Sequence, residues 1–171
     1  FIVYTIRILH MSDNYRKNCF KKILDASSVY DIAIKSPVQF APKLSSKLKN
    51  RIYIKREDLQ PVFSFKLRGA YNKISKIKNP NHIVAASAGN HAQGVALTCK
   101  KLKLDSTIVM PLTTPSIKVN AVKKHGTKII LHGDTYDEAY QYAIKYSKHP
   151  NFNFVQPYDA IEVIAGHGTL G

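Results

Sequence analysis

Apolar residues along this chain fall into two alternating patterns from about residue 50 onward. Short runs with strand composition begin near Arg51 (RIYIK), His82 (HIVAAS), Ser106 (STIVM), Thr127 (TKIIL) and Phe152 (FNFV), so their starts lie 31, 24, 21 and 25 residues apart. Each interval leaves room for one helix and two short loops. The intervening stretches carry helical spacing: Ala92, Val95, Ala96, Cys99 and Leu102 line one face of a helix over Asn90–Leu102, and Tyr136, Ala139, Tyr140, Ala143 and Ile144 do so over Thr135–Ser147. Two further helices are predicted at Tyr15–Leu24 and Val29–Ile34, with a polar loop over Lys35–Asn50. Strand and helix in alternation predict an α/β fold, a mostly parallel sheet flanked by helices. There is no internal repeat and no low-complexity segment.

Composition agrees with a soluble globule. The 171 residues suffice for one domain, or one domain and part of a second, and 44% are hydrophobic against 22% charged. A net charge of +15 first suggests a polyanionic partner. Lysine outnumbers arginine 21 to 5, however, and the lysines are scattered as doublets such as Lys21-Lys22, Lys100-Lys101 and Lys123-Lys124. Bidentate phosphate and base contacts favour arginine, so this charge reads as a solvated surface, with a basic nucleic-acid-binding domain or decayed remnant as the rival class. Cys19 and Cys99 have no metal or redox spacing, and two distant thiols predict a reducing, cytoplasmic location. Phe1–Leu9 is too short to span a bilayer, and the histidines show no metal-ligand spacing. Met11, followed by Ser12-Asp13-Asn14, reads as a natural start, which makes residues 1–10 either non-native upstream read-through or the tail of a missing element.

In parallel sheets ligands bind beyond the carboxyl ends of the strands, and two turns there carry chemistry. The first reads KREDLQPVFSFKLRG over Lys55–Gly69. Ser64 suits a helix N-cap, which puts Phe65 and Lys66 in the first helical turn, where the helix dipole opposes a cation. With burial, that setting lowers an ammonium pKa and frees an amine for Schiff-base chemistry; a surface lysine is the plain alternative. The second turn, ASAGNHAQG over Ala86–Gly94, ends a strand in small residues before a helix at about Asn90. It is either an anion site built from free N–H groups or an ordinary turn capped by Asn90. Glu57 and Asp58 are adjacent and point apart on an extended segment, so they are not an acid/base pair: Glu57 anchors the loop and Asp58 is solvated. Gly166–Gly171 spells G-x-G-x-x-G, but without a following helix or a later acidic residue it is weak as a dinucleotide fingerprint.

Taken together, SFKLRGA and SAGNHAQG resemble the pyridoxal-phosphate enzymes of the tryptophan-synthase-β type (fold type II), specifically the threonine dehydratases (threonine ammonia-lyases). KREDLQPVFSFKLRGAYNKI, ILHGDTYDEA at Ile130–Ala139 and VIAGHGT at Val163–Thr169 fit the biosynthetic form in order and spacing, and the resemblance runs from about Lys21 to Gly171. It implies pyridoxal 5'-phosphate as cofactor, held covalently by Lys66, with Phe65 beside the cofactor ring and Asn90 bonded to its 3'-oxygen. It implies further that Ser87, Ala88, Gly89, Asn90 and His91 receive the substrate carboxylate. His91 alone reads as a helix-start residue more than a catalytic one. Ala88 stands where related serine racemases carry an acid/base serine, which points away from racemisation. The family segment usually carries Gln at the position of His167.

The activity so implied is dehydration and deamination of L-threonine to 2-oxobutanoate and ammonia, the first step of isoleucine biosynthesis, with Lys66 as general base. A serine-preferring dehydratase is the alternative within the family. The partner is a small amino-acid substrate, with no membrane, and the full-length form is expected to be a homo-oligomer. Expected divisions are an N-terminal segment over 1–50, a small α/β cofactor-lysine domain over 51–150, and the start of a return into a larger catalytic domain over 151–171. The resemblance also implies an incomplete, N-terminal portion of such an enzyme, ending before the glycine-rich phosphate loop, the group facing the pyridine nitrogen and the regulatory domain. On that expectation the chain alone binds cofactor weakly and turns over little.

Overall fold

The computed structural model describes residues 13–171. The expectations on residues 1–10 and on Met11 lie outside them. Four parallel strands form the central sheet: β3 (His82–Ala86), β4 (Asp105–Met110), β5 (Lys128–Leu131) and β6 (Phe152–Phe154), in the order β5-β4-β3-β6. Their register runs from His82 opposite Asp105 and Phe152 to Thr107 opposite Lys128. Ile83 to Ala86 are all fully buried, the continuous apolar run of a strand covered on both faces.

Alternation along the strands sorts the helices. Ile83, Ala85, Ile108 and Met110 pack with α3 (Lys66–Ile74), α4 (Asn90–Leu102) and α5 (Ser116–Lys123), through Ala70, Ile74, Ala92, Val95, Ala96, Cys99 and Val122. Val84, Ala86 and Val109 face the other way, onto Ala139 and Ala143 of α6 (Tyr136–Tyr146). Thr135 caps α6 in a reciprocal box, its hydroxyl accepting from the Glu138 N–H while the Glu138 carboxylate accepts from the Thr135 N–H. Helix α4 begins and ends at the predicted residues, and α6 lies inside its predicted span.

Three expectations fail around the N-terminal third. The RIYIK run does not join the parallel sheet. Its core, β2 (Tyr53–Lys55), pairs antiparallel with β1 (Val38–Phe40) in a separate two-stranded sheet. The residues of both strands are exposed, and the apolar-polar alternation of RIYIK suits such a ribbon better than a strand buried on both faces. The loop predicted at Lys35–Asn50 contains β1 and a short helix, α2 (Pro42–Lys47), with proline at its first position. The helix predicted at Val29–Ile34 is instead a 3-10 turn over Ser27–Asp31, closed by i to i+3 bonds such as Ile32 N–H to the Val29 carbonyl at 3.2 Å. The expected N-terminal helix is present as α1 (Asp13–Leu24).

The last helix, α7 (Ile161–Gly168), crosses α3 at backbone contact. A Cβ on Gly166 would fall 2.4 Å from the Arg68 carbonyl oxygen and 2.8 Å from Gly69 Cα. Only glycine permits that approach, which Asn72 and Lys73 then secure: the Asn72 amide donates to the Glu162 carbonyl at 2.6 Å and Lys73 pairs with the Glu162 carboxylate at 3.1 Å. Ala165 and Ile23 close a small core with Ala26 and Val29, joining α7 to the end of α1.

Candidate functional site

Strand β3 has β4 on one side and β6 on the other, so chain direction diverges at its carboxyl end, where parallel sheets form their ligand crevice. Two segments leave the sheet there: Ser87–His91 after β3 and Val155–Tyr158 after β6. The start of α3 faces both. Lys66 Nζ donates to the Pro157 carbonyl at 3.3 Å and lies 4.6 Å from the Tyr158 ring centroid and 5.5 Å from that of Phe65. No carboxylate among the described residues pairs with it. Burial therefore acts unopposed and pushes the Lys66 amine below the ordinary lysine value.

Gly94 brings the two motif segments together. A Cβ there would stand 3.2 Å from the Leu67 backbone and 3.3 Å from the Lys66 carbonyl carbon, so α4 packs directly on the first turn of α3. Helix α4 starts with Gly89 as N-cap, no side chain caps it, and no acidic residue lies in its first turn. Asn90 is thus the first helical residue and not the cap, and it is exposed. The Ser87 hydroxyl accepts from the Gly89 N–H at 3.1 Å, and a Cβ on Gly89 would meet nothing within 4 Å. The result is an open helix start with room for a small anion.

His91 turns away from this opening. Its Nε2 lies 3.1 Å from the Val155 carbonyl, which only accepts, so Nε2 carries the proton and Nδ1, buried and without a partner, is bare. Burial pulls the ring down to about 4, with the Lys66 charge acting in the same sense and the Val155 bond opposing. His167 behaves alike, pulled to about 4 by burial first and then by Lys66 and His91. Two neutral imidazoles thus lie within electrostatic reach of the Lys66 amine.

The loop before Lys66 is held from below. Glu57 and the fully buried Arg68 pair at 2.8 Å (Nε to Oε2) and 2.9 Å (Nη2 to Oε1). Ser36 and Gln60 also donate to the Glu57 carboxylate. Burial pushes that carboxyl up, but these bonds outweigh it and leave the group below its ordinary value. Glu57 is the predicted anchor. Asp58 is exposed as expected and bonds Arg56 at 2.7 Å. Ser64 does act on the helix start, since the Lys66 N–H donates to its hydroxyl at 3.3 Å, although the N-cap position itself belongs to Phe65. Sequence reasoning gave no role to Arg68 or Tyr158; each depends on partners at least 11 residues away. Gly166 and Gly168 lie inside α7, so the G-x-G-x-x-G spelling does not form a phosphate-binding turn.

A profile of the family described as "Pyridoxal-phosphate dependent enzyme" matches residues 29–171. This chain belongs to that family. A threonine dehydratase from Nicotiana attenuata is 55% identical over 149 residues, 85% of this chain and 25% of the relative. The processed form of threonine deaminase isoform 2 from Solanum lycopersicum superposes with a TM-score of 0.84 at 46% identity, over 90% of this chain and 44% of that one. Maize serine racemase is more distant in sequence, at 26% identity with a TM-score of 0.83 over 88% of this chain and 47% of that structure. The chain spans about a quarter of the length of the curated relatives it matches. The α/β, tryptophan-synthase-β-like fold that the motifs implied is borne out, as is the pyridoxal-phosphate cofactor. The residues here suit that group: an amine of lowered basicity without a carboxylate partner, a half-exposed aromatic ring at Phe65, and an open, uncapped helix start. Among the described residues no helix is long and apolar enough to cross a membrane, and no cluster of three or more His, Cys, Asp or Glu could hold a metal ion.

Proposed function

We propose that this chain supplies the lysine side of a threonine dehydratase active site, which converts L-threonine to 2-oxobutanoate and ammonia for isoleucine biosynthesis as a carbon-nitrogen lyase. The observation that carries the reading is Lys66: a half-buried amine with a carbonyl and two aromatic rings around it and no countercharge, in a chain 55% identical to a threonine dehydratase. Lys66 would hold the cofactor, with Phe65 beside its ring and Asn90 toward its 3'-oxygen. The backbone of Ser87, Ala88, Gly89, Asn90 and His91 forms the rim that takes the substrate carboxylate, supported by the open start of α4. Once bound, the cofactor supplies an electron sink for charge developing at the substrate α-carbon.

Lys66 Nζ then takes the α-proton, which requires its neutral form; the missing carboxylate and the neutral rings of His91 and His167 favour that form at neutral pH. The β-hydroxyl leaves as water, and a water returns on hydrolysis, so the net products are the oxo acid and ammonia. Ala88 has no proton to exchange, in keeping with elimination over racemisation. The division into 1–50, 51–150 and 151–171 belongs to the same reading. We further take the complete protein to be a homo-oligomer in a reducing, cytoplasmic setting, consistent with free Cys19 and Cys99.

The test uses the full-length polypeptide with pyridoxal phosphate. The lysine-bound cofactor gives a visible absorption band that disappears in Lys66→Ala, and product from threonine exceeds product from serine. A band unchanged in Lys66→Ala defeats the reading, and a preference for serine moves it to the serine-specific dehydratases.

A further inference from the structure

Beneath Lys66 one polar ring has no partner for one of its nitrogens. His167, on the last turn of α7, meets the Phe65 ring edge-on, with centroids 5.0 Å apart and planes at 77°. Its Nε2 stands 2.4 Å from where a Cβ on Gly69 would be, so the ring occupies the space a side chain on α3 would need. That Nε2 is buried and has no hydrogen-bond partner. An unpaired buried nitrogen is a cost to the fold that an aliphatic side chain of similar size would not incur. The ring's surroundings show what the cost sustains. Phe65 precedes Lys66 and Gly69 lies one turn later, so the ring rests on the first turn of α3 on both sides of Lys66. Gly166, one residue earlier on α7, rests against the Arg68 carbonyl, so the height of the ring on α3 is set by backbone contact.

We propose that His167 is a positioning residue for Lys66: wedged between Phe65 and Gly69, its ring fixes the first turn of α3 and keeps water from the underside of the amine. The titratable groups around that amine are His91 from α4, His167 from α7 and Tyr158 after β6. Both imidazoles stay uncharged to about 4, so the wedge does not repel the amine it supports. The inference rests on the reading that Lys66 carries the cofactor, but its test does not need the cofactor.

In the full-length polypeptide stripped of cofactor, trace labelling with acetic anhydride at neutral pH, read by mass spectrometry, compares Lys66 with the exposed Lys118 within each molecule. Removing the ring in His167→Ala admits water, restores the ammonium form and lowers the Lys66 to Lys118 labelling ratio about threefold or more. His167→Phe keeps the wedge and stays within about 1.5-fold of the parent ratio. A purely structural role would lower the melting temperature and leave the ratio of the folded protein alone. If His167→Ala does not fold, His167→Val, which is larger than alanine but lacks the ring, takes its place with the same expected fall. An unchanged ratio in the folded Ala or Val variant overturns the proposal. A parent protein whose cofactor is on another lysine overturns the functional reading instead, and the labelling result still decides the role of His167.

Discussion

Replacing Arg68 with methionine removes the countercharge of a carboxylate that has little access to water. Arg68 is fully buried and gives Glu57 two bonds, at 2.8 and 2.9 Å; it also reaches the Ile34 carbonyl at 3.2 Å and the Thr169 hydroxyl at 3.1 Å. In the variant Glu57 keeps only the Ser36 and Gln60 bonds. Breaking a buried pair from one side costs about 3–5 kcal/mol, because the remaining charge is stranded. With a urea slope of about 2 kcal/mol per molar, the midpoint falls by about 1.5–2.5 M. The chain has no tryptophan, so the titration is followed by far-UV circular dichroism and tyrosine fluorescence. Adding Glu57→Gln to Arg68→Met recovers part of the loss, since no uncompensated charge is left. A midpoint shift below about 0.5 M for Arg68→Met, or a double variant no better than the single one, refutes the account of this pair as the anchor under Lys66.

The crossing of α3 and α7 gives a second test: Gly166→Ala puts a methyl 2.4 Å from the Arg68 carbonyl oxygen, backbone that cannot swing aside, and lowers stability by about 1–3 kcal/mol or more in the same titration. His91 and His167 give a pH dependence. Their folded values are depressed to about 4, so the unfolded chain binds more protons between about 6.5 and 4, and stability falls as pH falls through that window. Their ring-proton NMR signals accordingly do not titrate between pH 7.5 and 5; a titration midpoint near 6.5 for either contradicts the burial argument. Cys99, buried and with its thiol pushed up to about 12, resists iodoacetamide at pH 8 in the folded protein while the half-buried Cys19 reacts, a difference that urea abolishes.

Local pattern carried much of the structure. Helix α4 is legible because Ala92, Val95, Ala96 and Cys99 form an uninterrupted apolar face, and all four are buried. The strands β3 and β4 are legible because each carries a short run, Ile83–Ala86 and Ile108–Met110, that is apolar and buried on both faces. Composition and alternation identified RIYIK as a strand, yet neither says which sheet accepts it; that depends on Val38–Phe40, whose short run lies in a segment that reads as a polar loop. The site divides the same way. Lys66 and the Ser87–His91 turn announce themselves by motif, and Gly94 is the residue that lets them meet. Tyr158 and the partners of Arg68 involve separations of 92 positions (Tyr158 from Lys66) and 101 (Thr169 from Arg68), beyond any periodic signal. His167 stands out in the sequence only as a departure from a family pattern; its place under Phe65 comes from the glycine-on-glycine crossing of two helices far apart in the chain.

The central claim is that Lys66, among 21 lysines, is the one that binds the cofactor. The most direct measurement is borohydride reduction of the full-length protein loaded with pyridoxal phosphate, followed by proteolysis and mass spectrometry of the modified peptide. The account predicts one modification, on Lys66 in the peptide spanning Phe65 to Arg68, prevented by Lys66→Ala. Stable modification at another lysine, or at several without preference, contradicts it.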